Sequence, residues 1–132
     1  MTQPKPIAIP GAVPVRPLVE RALTGTLTKA HPQLPAIRAL LDERTAKGVE
    51  TYGAALAAPN GRDFLRDAIE EAADLVQYVA GLRHLASASP PGTSVDAWAR
   101  MERLRTLHAL VSVAYNEVTN ELRRSEPDAL PW

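Results

Sequence analysis

The sequence predicts an all-α fold, an antiparallel helical bundle completed by oligomerisation. Three observations carry that expectation. Apolar residues recur at helical spacing through three long segments, within 37 to 52, 65 to 79 and 101 to 122. Residues suited to helix ends bound those segments: Gly53 after the first, Asp63 before the second and Ser94 before the third. Strands are hardly signalled anywhere.

The totals fit this class. A chain of 132 residues is expected to form one domain with a core that needs neither disulfides nor a structural metal. Lys plus Arg and Asp plus Glu number 15 each, so no global field draws in nucleic acid or an anionic membrane. There is no cysteine, which excludes thiolate zinc sites and thiol nucleophiles and suits a reducing compartment. His31, His84 and His108 form no HxxxH or HExxH pair. With no leader-like start and no run of eighteen apolar residues, the expected location is cytoplasmic, with no membrane partner.

Taken in order, residues 1–33 read as a proline-rich arm with one short helix. Six of the 12 prolines fall there, at 4, 6, 10, 14, 17 and 32, so residues 1–16 are expected to be extended or irregular. Ile7, Ile9, Val13 and Val15 alternate with other residues, which lays this arm on a surface of its own or a neighbouring subunit. Pro17 suits the first position of a helix, PLVERALT, that Gly25 would end.

Residues 34–124 read as the helical domain. From Pro35 to Tyr52, Ile37, Leu40, Leu41, Val49 and Tyr52 keep helical spacing, and Gly53 is placed as a C-cap. Gly48 inside this helix costs about 1 kcal/mol relative to alanine, which suggests close approach by another backbone or a ligand. Glu43, Lys47 and Glu50 form one stripe on it. After the turn signal Pro59-Asn60-Gly61, Asp63 caps a helix expected to run to about Ala86. Its apolar face is Leu65, Ala68, Ile69, Ala72, Leu75, Val76 and Val79. The opposite strip carries Asp67, Glu71 and Asp74, flanked by Glu70, with no cation between Arg66 and Arg83.

The segment SASPPGT at 87–93 breaks that helix, and Ser94 caps the next. There Met101, Leu104, Leu107, Val111, Ala114, Val118 and Leu122 make one stripe, with Leu110 and Val113 opposite. A helix covered on both faces in so small a chain implies a helical homo-oligomer. The tail, residues 125–132, reads as non-helical, with Trp132 anchored on a neighbour or exposed.

An acidic strip without cations of its own is either a solvated face or a site for a hard ion, Mg²⁺ or Mn²⁺, which takes oxygen ligands. Glu71 and Asp74, three residues apart, are close enough to share an ion, and Asp67 lies one turn earlier. Glu50 is the candidate ligand from a second helix. Mg²⁺ held by a few carboxylates keeps places for substrate phosphates, so the reaction class implied is phosphate chemistry. No GxxxxGK[ST], GxGxxG or GxSxG pattern offers another route.

K-G-V-E-T-Y-G at 47–53, N-G-R-D at 60–63 and D-A-I-E-E-A-A-D-L-V-Q-Y at 67–78 together resemble the all-α nucleotide pyrophosphatases of the MazG type, most of all the short phage branch of MazZ type. The resemblance spans residues 34–86. It implies hydrolysis of a nucleoside triphosphate to the monophosphate and pyrophosphate with Mg²⁺ or Mn²⁺, and within the phage branch dGTP as substrate, supplying 2-aminoadenine nucleotide synthesis. The family's ExxD falls on Glu71 and Asp74. Its upstream ExxE is met by Glu50 alone, since Lys47 stands at the first position; Asp67 or Glu43 replaces the missing ligand, and Lys47 touches a phosphate instead.

The implied site is therefore Glu50, Glu71 and Asp74 as catalytic metal ligands, Asp67 and Glu70 as further ligands, and Lys47, Asn60 and Arg62 as substrate contacts. Tyr52 and Tyr78 read as core edges, and Arg83 and His84 as structural. The competing reading is a non-enzymatic helical assembly or adaptor whose acidic face meets a basic partner.

Overall fold

A computed structural model describes residues 3–88 and 94–126. Four helices form: α1 (Val15–Thr26), α2 (Leu34–Tyr52), α3 (Phe64–Ala88) and α4 (Ser94–Ser125). Two short strands, β1 (Val13–Pro14) and β2 (Ala57–Ala58), pair antiparallel with Val13 opposite Ala58. The all-α class is thus met. The proline pair Pro90-Pro91 and the tail beyond Glu126, with Trp132, lie outside the described residues, as does the Ser94 side chain expected to cap α4; Ser125, expected to begin the non-helical tail, is the last residue of α4.

Local chemistry explains the helix ends. Gly53 adopts φ 80°, where a Cβ would be strained, and its N–H closes α2 on the Val49 carbonyl. Asp63 accepts the Arg66 N–H at 3.0 Å and so caps α3 as expected. At α1 the expectation needs correction. The helix starts at Val15, two residues before Pro17, and runs through Gly25 to Thr26, because the ladder N–H of Leu27 still reaches the Leu23 carbonyl at 2.8 Å. Pro17 costs nothing there, since first-turn N–H groups have no helical acceptor.

The core joins α1, the start of α2 and the middle of α4. Leu23, Leu34, Ile37, Ala109 and Val113 are its buried side chains, with Val19, Ala22, Leu27, Leu41 and Leu110 packed around them. Polar bonds fix the register. Gln33 is buried and donates to Glu102 at 2.8 Å while accepting from the Thr106 hydroxyl at 2.9 Å; Asn116 donates to Thr26 at 2.9 Å. On the outer side Arg38 and Arg16 both bond Glu20, at 2.8 and 3.0 Å, and Arg16 also reaches Asp42, tying α1 to α2. Arg38 first, then Arg16, hold the Glu20 carboxyl below its ordinary range.

Of the two faces of α4 expected to be covered, the one that carries Leu110 and Val113 is packed on the core. Its covered side is Thr106, Ala109, Val113 and Asn116, whereas Met101, Val111, Val118 and Leu122 are exposed. The apolar face of α3 is barer still, with Leu65, Ile69 and Val76 at 72, 61 and 69% exposure. Among the described residues α3 packs along no other helix over an extended stretch. Among the described residues one chain leaves α3 outside the packed helices, and both tyrosines expected at core edges, Tyr52 and Tyr78, are exposed.

Candidate functional site

The entrance to α3 is built by the arm as much as by the turn. The Ile7 N–H donates to the Asn60 carbonyl at 2.9 Å, and Val15 N–H to Leu56 at 2.9 Å, beside the β1 and β2 pairing. Gly61 has φ 82°, and a Cβ there would stand 3.2 Å from the Ile7 side chain, so this turn requires glycine for conformation and for room. The alternating arm does lie on the surface of its own chain.

Asn60 is 4% exposed, and its side-chain oxygen accepts the Arg62 N–H at 3.1 Å. That bond shapes the turn. Arg62 then spends its whole guanidinium locally: Nε and Nη2 bond the two Asp67 oxygens at 2.9 and 2.8 Å, and Nη1 donates to the Pro4 carbonyl at 2.7 Å. In this state Asn60 and Arg62 serve the turn and the arm rather than a substrate. The guanidinium beside Asp67 holds that carboxyl below its ordinary range, and the Asp67 charge raises Arg62 in turn.

The acidic strip is thereby divided. Asp67 is bound to Arg62 from the turn, and Glu70 pairs with Arg66 one turn before it at 3.1 Å, so the expectation of a strip with no neutralising cation is corrected for its N-terminal half. Glu71 and Asp74 are exposed and, among the described residues, enter no ion pair. At 1.5 Å per residue they are about 4.5 Å apart along the axis, within reach of one ion, whereas Asp67 and Asp74 are about 10 Å apart. Asp67 is thus placed too far along α3 to join Asp74 on a single ion.

On α2, Glu43, Lys47 and Glu50 are all exposed, and a Cβ on Gly48 would meet nothing within 4 Å, so no backbone among the described residues approaches there. Among the described residues no three acidic or histidine side chains stand close enough to hold an ion together. A single chain does not bring Glu50 to Glu71 and Asp74, which corrects the expected juxtaposition. The cause is the separation of α3 from the other helices. Arg83 and His84 are exposed as well.

Sequence reasoning did not single out Gln3. Its amide accepts the Asp63 N–H at 2.7 Å and donates to Asp67 at 2.6 Å and to the Asp63 carbonyl at 3.3 Å. Nothing local marks it, because its partners lie about sixty residues away in the chain. No family model, curated protein or solved structure matches the chain. Among the described residues no helix is long and apolar enough to cross a membrane.

Proposed function

We propose that the chain is a metal-dependent nucleotide diphosphohydrolase that converts a nucleoside triphosphate, dGTP first among the candidates, to the monophosphate and pyrophosphate. One observation carries the reading. Glu71 and Asp74, on which the ExxD of the MazG-like pattern falls, lie one turn apart, exposed and outside every ion pair described, while their neighbours Asp67 and Glu70 are paired.

The donor set suits a hard divalent cation in kind but not yet in number, since one chain presents only this pair together. Mg²⁺ or Mn²⁺ bound there supplies positive charge at the phosphates to be separated. Glu50 completes the set when α2 and α3 close against each other or when a second copy supplies its α2. Oligomerisation belongs to the same reading: Leu65, Ile69 and Val76 on α3 and the bare stripe of α4 form apolar surface of the kind that a homo-oligomer covers.

The test is to incubate the purified protein with each dNTP and Mn²⁺ and to measure pyrophosphate. Release from dGTP above the others is expected, and absence of pyrophosphate from every dNTP would sink the proposal. The apolar face of α3 beside an acidic one also fits an assembly or adaptor module. For that reading a thermal melt shows no rise with Mn²⁺, whereas a metal site raises the melting temperature by mass action.

A further inference from the structure

We propose that residues 3–7 form a latch over the entrance to α3 which a polyphosphate anion opens by taking Arg62 away from Asp67. This rests on the reading of the chain as a nucleotide hydrolase, with Arg62 as the phosphate contact. The starting state is closed. Arg62 has each guanidinium nitrogen engaged, two on Asp67 and one on the Pro4 carbonyl, so it offers a phosphate its planar two-nitrogen edge only by releasing Asp67.

The same bonds hold the arm. Gln3 binds Asp67 and the backbone of Asp63, Pro4 binds Arg62, and Ile7 N–H binds Asn60. Loss of Arg62 removes the Pro4 anchor and leaves the arm held by Gln3 and the Ile7 N–H alone. The competition favours the anion. The Arg62 and Asp67 side chains are 26% and 30% exposed, so an anion reaches the pair from solvent. A polyphosphate presents more charge and several oxygens to the planar fork of a guanidinium.

The latch is also built to open easily. Prolines 4, 6 and 10 withhold three ladder donors, so few backbone bonds secure the arm, and segments of this kind open at low free energy. Until it opens, the arm keeps the substrate contact closed in the absence of substrate.

The experiment is amide hydrogen exchange by NMR on the full chain, with inorganic triphosphate as the probe and sodium chloride at matched ionic strength as the control. The Ile7 and Asp63 amides are the reporters, since both bond across the latch. Triphosphate is expected to speed their exchange on the order of tenfold in the unaltered protein. In Arg62→Gln the arm is already loose and triphosphate adds nothing, whereas in Gln3→Ala, which keeps Arg62, triphosphate still speeds the Ile7 amide. Unchanged or slower exchange with triphosphate overturns the latch, as does an equal effect of sodium chloride. If no dNTP yields pyrophosphate while triphosphate still opens the arm, the hydrolase reading fails and the anion latch stands; if dGTP is hydrolysed with the arm amides unmoved, the latch alone fails.

Discussion

Arg62 grips Asp67 across the entrance to α3 through two parallel hydrogen bonds, Nε to one carboxylate oxygen at 2.9 Å and Nη2 to the other at 2.8 Å. The pair changes what the acidic strip can do. It converts one carboxylate of the candidate metal site into the clasp of an N-terminal arm.

The clasp sets a pH dependence. Arg62 depresses the folded-state pKa of Asp67, so its contribution is full above the unfolded value, near pH ~4, and is lost as pH falls through the lower folded value. A carboxyl titration followed by NMR should therefore place the Asp67 midpoint below that of an ordinary aspartate. Arg62→Gln should move it back up. A midpoint that ignores this substitution refutes the clasp.

The carboxylates of α3 should differ in consequence. Glu71→Ala and Asp74→Ala are expected to lower pyrophosphate release on the order of 100-fold or more, as loss of a metal ligand does, with the helical circular dichroism unchanged because both side chains are exposed. Asp67→Asn should retain most of the activity. Equal losses at all three positions would return Asp67 to the metal site and contradict the division seen here.

The exposed face of α3 makes a separate claim. Ile69→Glu with Val76→Glu places two charges on apolar surface that a second copy is proposed to cover. In light scattering the assembly should dissociate, and pyrophosphate release should fall with it. Were the protein a monomer, these side chains at 61 and 69% exposure would change stability by only about 0.5 kcal/mol and leave the mass unaltered.

How much of this was legible depends on how far the deciding contact lies along the chain. The cap at Asp63 and the stop at Gly53 follow from groups within four residues, and both form as their residue types require. The Arg62 and Asp67 pair is five residues apart and spans the start of α3, where the i,i+4 spacing of partners on one helix does not reach. The faces of α4 were not legible. Periodicity reports that Val111 and Val113 are both apolar, but only the position of α1 and α2 decides that Val113 is buried and Val111 is not. Gln3 and Asn60 carry no pattern at all, since their importance arises from closure of the arm on the turn.

Gln33 offers the sharpest test of the core. It is 4% exposed, its amide nitrogen donates to Glu102 and its oxygen accepts from Thr106, so both ends are satisfied where α2 crosses α4. Gln33→Leu keeps the volume but removes both bonds, leaving polar partners beside a methyl group. The expected cost is about 1–3 kcal/mol in urea unfolding, below the ~2–5 kcal/mol expected for emptying the adjacent core with Ile37→Ala. A second readout separates hydrogen bonding from packing. The Gln33 amide is the first cause, ahead of Arg105, of the depressed Glu102 pKa, so Gln33→Leu should raise the Glu102 titration midpoint while Ile37→Ala leaves it in place. If Gln33→Leu costs less than about 0.5 kcal/mol and the Glu102 midpoint does not move, the α2 and α4 junction is held by its apolar contacts alone.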